Sequence, residues 1–188
     1  IKEIIFIISK KKMMIKNYFY NDIFYKNLIK KKKDPRVFAE YKKILKYRKM
    51  IKFVYQNKPK GTGDAVLKTK KLIKDKYFLM LLPDDLIIKK NCSKSMIKVH
   101  NKLNSSVMAS LNVKKKTVNR WGIYKLGKRL SKKNHLIDSV VEKPSVKNAP
   151  SNKAVIGRYI LPRSIFKKLL NQKPSKDGEI HITDAIQS

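Results

Sequence analysis

At 188 residues, 42% of them hydrophobic, the chain is long enough for one sizeable globular domain and too apolar to stay disordered. Its formal net charge of +34 points to anionic partners, yet only six of the 47 basic residues are Arg and the Lys clusters are scattered along the chain, as on a solvated basic face. No apolar run reaches the ~18 residues that a bilayer crossing needs, and the single Cys92 excludes an internal disulfide or a multi-cysteine metal site and fits a reducing cytoplasm.

In chain order, residues 3–9 are a continuous apolar run of strand length, the pattern of a strand buried on both faces. Residues 10–33 mix Lys, Tyr, Phe and Ile without clean caps and predict irregular helix and loop. Within them Tyr18, Phe19, Tyr20, Phe24 and Tyr25 form an aromatic patch suited to core packing or a dimer contact. Asp34 and Pro35 open a helix that runs to about Lys49, with Val37, Tyr41, Ile44 and Leu45 on its apolar stripe. Residues 50–55 return to strand character, a glycine-containing turn follows, and residues 65–73 resume helical spacing. Residues 77–82 predict a strand and 93–103 a helix. Residues 106–113, 122–126, 136–142 and 154–161 predict strands, with helices at 162–170 and from 179. The chain starts in a strand without an initiator Met and stops inside a helix, so a single domain over 1–188, incomplete at both ends, is expected. The alternation predicts an α/β fold with a mostly parallel, Rossmann-like sheet and helices on both faces.

In such a sheet ligands bind beyond the carboxyl ends of the strands, and three segments lie there. Gln56 to Asp64 reads QNKPKGTGD, in which two glycines allow backbone amides to approach a base or phosphate; an ordinary strand-to-helix turn explains it as well. Asp84 and Asp85 follow the apolar strand directly, where a carboxylate suits Mg²⁺ and equally suits a turn cap. Val140 to Pro144 delivers Glu142 and Lys143 side by side. Glu suits sugar hydroxyls and Lys suits phosphate, and Pro144 is expected to bend the chain so that both reach one ligand; a surface ion pair is the plainer alternative. His100, His135 and His181 lack ligand-like spacing.

Taken in order, QNKPKGTGDAV, LLPDDLI, WGIY, VVEKP, APSNKAVIGRYIL and GEIHITDAI resemble the bacterial UTP:glucose-1-phosphate uridylyltransferases across most of residues 51–187. The resemblance implies a nucleotidyltransferase sheet and a reaction in which the sugar phosphate attacks the α-phosphorus of UTP, giving UDP-glucose and pyrophosphate with no covalent enzyme intermediate. It implies Mg²⁺ on Asp84, uracil contacts from Gln56 and Gly61, a glucose contact from Gly122, sugar hydroxyls on Glu142 and the sugar phosphate on Lys143, with Asp84 and Lys143 as the catalytic pair. Trp121 stands where the family more often has Tyr. The family's GxGTR…PK segment and its later C-terminal segment with a second metal-binding aspartate are missing from this sequence, so the 188-residue piece alone is expected to have little or no activity. UTP, glucose 1-phosphate and UDP-glucose are the implied partners, with no membrane, no dedicated nucleic acid and a homo-oligomer allowed. A sister transferase using another nucleotide or sugar, or a basic nucleic-acid-binding module, is the alternative.

Overall fold

A computed structural model describes residues 1–88 and 90–187. The chain forms two compact units, 1–72 with 172–182, and 73–171 with 183–188.

In the first unit β1 (Ile4–Ile8) pairs in parallel with β2 (Ile51–Tyr55), from Ile4 opposite Ile51 to Ile8 opposite Tyr55. Parallel neighbours need a long crossover, here a 3-10 turn, α1 (Met13–Tyr20), α2 (Asp22–Lys32) and α3 (Pro35–Arg48). Residues 10–33, predicted as irregular, are thus mostly regular helix. The boundary signal is Asn21, whose side chain accepts the amide of Phe24 at 3.0 Å and caps α2, while Lys33 ends it in a left-handed conformation. Asp34 caps α3 as expected, accepting from the Arg36 amide at 2.8 Å. The aromatic patch divides: Tyr25 is buried and stacks on Tyr41 beside Ile44, with Phe19 and Ile29 packed against them, whereas Tyr18, Tyr20 and Phe24 are exposed. Phe6 lies against both Phe19 and Phe53. After β2 comes α4 (Thr62–Leu67), shorter than the helix predicted over 65–73.

One polar network ties the three crossover helices together. Asp22 of α2 takes the Arg48 guanidinium at 2.6 and 3.1 Å and the Tyr41 hydroxyl at 2.9 Å, while Arg48 Nε donates to the carbonyl of Phe19 in α1 at 2.7 Å. Hydrogen bonds from Arg48 first, then from Tyr41, hold the Asp22 carboxyl down at about 2.

The second unit is built around β7 (Lys153–Pro162). Ile160 pairs with Leu79 of β3 (Tyr77–Leu81) and with Val107 of β4 (Val107–Asn112), so these strands lie on opposite edges of β7. Ala154 likewise pairs with Leu111 of β4 and with Ile123 of β5 (Gly122–Arg129), and β5 pairs with β6 (His135–Glu142). Every pairing in this sheet is antiparallel, which corrects the expectation of a mostly parallel sheet. The reason is specific. β3, α5 (Cys92–Leu103) and β4 do form a crossover between strands that run the same way, because both oppose β7; but β7, which arrives much later in the chain, inserts between them. Local periodicity reports strand and helix, not a strand added afterwards. α5 buries Met96 against Ala109, Ile156 and Ile160. Val118, Ile123 and Ala154 form a second core cluster with Trp121 beside it. The remaining helices are α6 (Ile165–Asn171) and α7 (Ile182–Gln187).

Because the Asp22 carboxyl is held below its ordinary 3.8, its contribution is complete above that value and is lost as pH falls toward about 2. Asp22→Asn should therefore lower the urea midpoint near neutral pH, and its deficit against the parent should shrink as pH falls through this window. Urea melts at pH 6, 4 and 2.5 test this; a deficit that stays constant with pH assigns the residue no such role.

Candidate active site

In the first unit the chain leaves β2 at Tyr55 and turns through the glycine loop into α4. Gly61 has φ +93°, and a Cβ there would lie 2.5 Å from the carbonyl oxygen of Ile180, so only glycine fits. Backbone bonds pin the loop, with Gly63 N–H donating to Ile180 O at 2.7 Å and Ile180 N–H to Lys60 O at 2.9 Å. Gln56 and Gly61, both predicted, are brought together: Gln56 Nε2 donates to Gly61 O at 3.2 Å and to Asp64 Oδ2 at 2.8 Å. Asp64 is buried, and Lys68 stands 3.5 Å from its other oxygen. Asp64 closes the QNKPKGTGD segment, and its signal is the first-turn position in α4, which turns the side chain back toward the loop.

In the second unit the turn after β3 separates the two adjacent aspartates. Asp85 Oδ2 accepts the Gly157 amide at 2.5 Å, and Arg158 donates to the carbonyls of Leu82, at 2.8 Å, and of Asp85. Leu82 N–H also donates to Gly157 O at 2.8 Å, and a Cβ at position 157 would fall inside the Leu82 side chain. The turn is therefore fastened to β7 by backbone and by Asp85. Asp84 is exposed, and among the described residues its carboxylate makes no hydrogen bond or ion pair. Asp75, Asp138, Glu142 and Glu179 are exposed in the same unpaired state, so what distinguishes Asp84 is its place in the turn after β3. Among the described residues no group of three or more His, Cys, Asp and Glu side chains is placed to hold a metal. A hard cation at Asp84 would take its other oxygens from phosphates and water, the usual Mg²⁺ arrangement.

The last three predicted residues also meet. Gly122 opens β5 directly opposite Glu142, which ends β6. A Cβ at Gly122 would stand 2.9 Å from Glu142 Oε2, so the missing side chain gives the carboxylate its position. Lys143 follows with φ +43°, and its amide donates to Trp121 O at 3.0 Å. The bend after β6 is thus made by Lys143 itself, where Pro144 was expected to make it. A left-handed backbone on a residue other than glycine costs roughly 1–2 kcal/mol, and such strain concentrates at functional positions. Tyr159, buried in β7, is pushed up to about 12 by burial first and then by the charges of Asp85 and Glu142, so it lies within the electrostatic reach of both carboxylates.

Of the other candidates, His100 packs on the Tyr77 ring and shares a hydrogen with Ser105 O at 2.6 Å, and His181 pairs with Asp177 at 2.7 Å. Cys92 packs beside the Met96 cluster. No described helix is long and apolar enough to cross a membrane.

The nucleotidyl transferase family model matches residues 2–188. A Methanocaldococcus jannaschii protein provisionally named as a UTP–glucose-1-phosphate uridylyltransferase is 36% identical over 99% of this chain and 65% of its own length. The Streptococcus pyogenes UTP–glucose-1-phosphate uridylyltransferase is 34% identical over 73% of this chain and 47% of its own. Among solved structures, the UTP-bound enzyme from Acinetobacter baumannii superposes with a TM-score of 0.85 at 31% identity, covering 100% of this chain and 65% of that one. A UDP-glucose pyrophosphorylase complexed with UDP-glucose gives 0.81 at 32% identity, covering 97% and 66%. The chain thus spans about two thirds or less of the relatives it matches.

Two substitutions separate strain from packing at these positions. Lys143→Gly relieves the left-handed backbone and should leave thermal stability unchanged or raise it by up to about 1 kcal/mol, the relief being offset by the greater freedom of glycine in the unfolded chain. Gly157→Ala forces a methyl into Leu82 and should cost ~1–3 kcal/mol. Thermal and urea melts of both variants check the opposite signs.

Proposed function

The chain belongs to the nucleotidyl transferase family, and on that footing we propose that it carries the base, sugar and metal contacts of a UTP:glucose-1-phosphate uridylyltransferase. The observation that carries this reading is the pairing of Gly122 with Glu142 beside a strained Lys143, in a chain 32% identical to a pyrophosphorylase solved with UDP-glucose. An acceptor carboxylate and an ammonium held side by side at the paired ends of two strands suit a hydroxylated ring bearing a phosphate.

In this reading a phosphate oxygen of glucose 1-phosphate attacks the α-phosphorus of UTP, and the bond to the bridging oxygen breaks to release pyrophosphate. Phosphoryl-type transfer asks mainly for alignment and charge neutralisation. Glu142 accepts sugar hydroxyls and orients the ring, with Gly122 leaving room for the close approach. Lys143 binds the sugar phosphate and offsets its charge as the nucleophilic oxygen nears a second anion. Gln56 and the backbone around Gly61 hold the uracil. Asp84 is the residue to hold Mg²⁺, which when bound supplies Lewis-acid neutralisation of the phosphate oxygens. Asp85 and Arg158 fix the turn so that Asp84 needs no reorganisation. The scattered Lys face is a solvated surface that attracts anionic nucleotides, and the working compartment is the cytoplasm.

The test is product formation by the complete gene product with UTP, glucose 1-phosphate and Mg²⁺, with pyrophosphate and UDP-glucose both measured. Asp84→Asn should lower kcat at least 100-fold, and Lys143→Ala should raise KM for glucose 1-phosphate more than KM for UTP. Faster turnover with dTTP, CTP or another sugar phosphate would transfer the assignment to a sister transferase.

A further inference from the structure

We propose that Asp64 sets the base preference of the nucleotide site by locking the orientation of the Gln56 amide, an inference that rests on the reading of Gln56 as a base contact. A side-chain amide has one NH₂ end with two donors and one oxygen end that only accepts, and it reads opposite base edges according to which end faces the ligand. Both neighbours of the inner end of Gln56 are acceptors: Asp64 Oδ2 at 2.8 Å and Gly61 O at 3.2 Å. The NH₂ must face them, because turning the amide over would set Oε1 against a carboxylate and a carbonyl with no hydrogen between. Both donors are then consumed, and Oε1 is what Gln56 has left to offer.

Asp64 is well suited to enforce this. Its residue is 6% exposed, so a flipped amide would leave a buried carboxylate without its partner. Lys68 Nζ, 3.5 Å from Oδ1, holds the other oxygen and discourages rotation of the carboxyl group. The Gly61 carbonyl is held in turn, since the flanking loop is bonded to Ile180 through Lys60 and Gly63 and no larger residue fits at 61. The lock therefore joins one side chain to a backbone position that sequence and packing both restrict.

An outward Oε1 selects a pyrimidine that presents an imino N–H, as uracil and thymine do at N3. It rejects cytosine, whose N3 is a lone pair that would face another. Discrimination by an unmet buried polar group exceeds that available from shape alone. Asp64 is a positioning residue in this scheme and touches no substrate; the selection is exerted through Gln56.

The experiment compares kcat/KM for UTP and CTP on the complete gene product. Asp64→Asn keeps the shape and lets either end of the amide face inward; it should lower the UTP/CTP ratio at least tenfold, chiefly by raising the CTP value. Asp64→Ser, whose hydroxyl donates and accepts, is a second variant with the same expected direction should the first fold poorly. Gln56→Ala separates the two layers. If it lowers the ratio while both Asp64 variants leave the ratio unchanged, Gln56 reads the base and the lock is wrong. If Gln56→Ala leaves the ratio unchanged, the base contact itself is wrong and the lock falls with it. A merely structural role for Asp64 would lower activity with both nucleotides and leave their ratio alone.

Discussion

The second unit depends on one close approach, that of the turn after β3 to Gly157 in the middle of β7. β7 is paired along both edges, so its backbone has little freedom to yield, and the Leu82 side chain occupies the space that any larger residue at 157 would need. The contact is backed by three hydrogen-bonded groups, the Gly157 amide on Asp85, Arg158 on two carbonyls, and Leu82 N–H on Gly157 O. Each such bond contributes only ~1 kcal/mol net, but leaving a buried partner unmet costs more, so the set holds as a unit. The consequence is a division of labour between neighbours: Asp85 is consumed by the fold, and Asp84 is left exposed and unpaired at a strand end.

Acids are scarce here, 13 against 47 bases, and their use is economical. Asp22 joins α2 to α3, Asp34 caps α3, Asp64 holds an amide, Asp85 fastens a turn, and Asp177 pairs with His181. In solvent, exposed Lys–acid pairs contribute at most about 1 kcal/mol, and so many Lys cannot all find partners. Asp84 and Glu142 are left exposed and unpaired at strand ends, as Asp75, Asp138 and Glu179 are elsewhere in the described residues. Which acids the fold engages is a relation that composition alone cannot supply.

Much of the fold was legible for identifiable reasons. Asp34-Pro35 is a strong start signal and gave α3 within a residue of its observed bounds, and the apolar runs gave β1, β2 and β3. The sheet direction was not legible, because an apolar strand looks the same whichever way its neighbour runs, and the insertion of β7 between β3 and β4 is a relation between residues far apart in the chain, from Asn112 with Lys153 to Tyr77 with Pro162. The regular helices at 13–32 escaped notice because Asn21 sits between two aromatic-rich stretches whose apolar residues blur the helical stripe. At the site, the motifs placed Gln56 with Gly61 and Gly122 with Glu142, since each pair is close in sequence or joined by a hairpin. What the motifs lacked was the supporting layer of Asp64, Asp85 and Arg158, whose partners depend on loop geometry.

That supporting layer explains why residues of the same chemical type serve unlike ends. A carboxylate accepts hydrogen bonds wherever it is placed, so its role follows from the donors the backbone presents to it. Asp85 meets the Gly157 amide and becomes structural. Asp64 meets an amide side chain and becomes an orienting group, with effect only through the end of Gln56 it leaves free. Glu142 meets a glycine, which offers no donor side chain, and its carboxylate stays exposed. Glycine at 122 and at 157 acts in the same way: the absent Cβ admits a neighbouring side chain, Glu142 at 122 and Leu82 at 157.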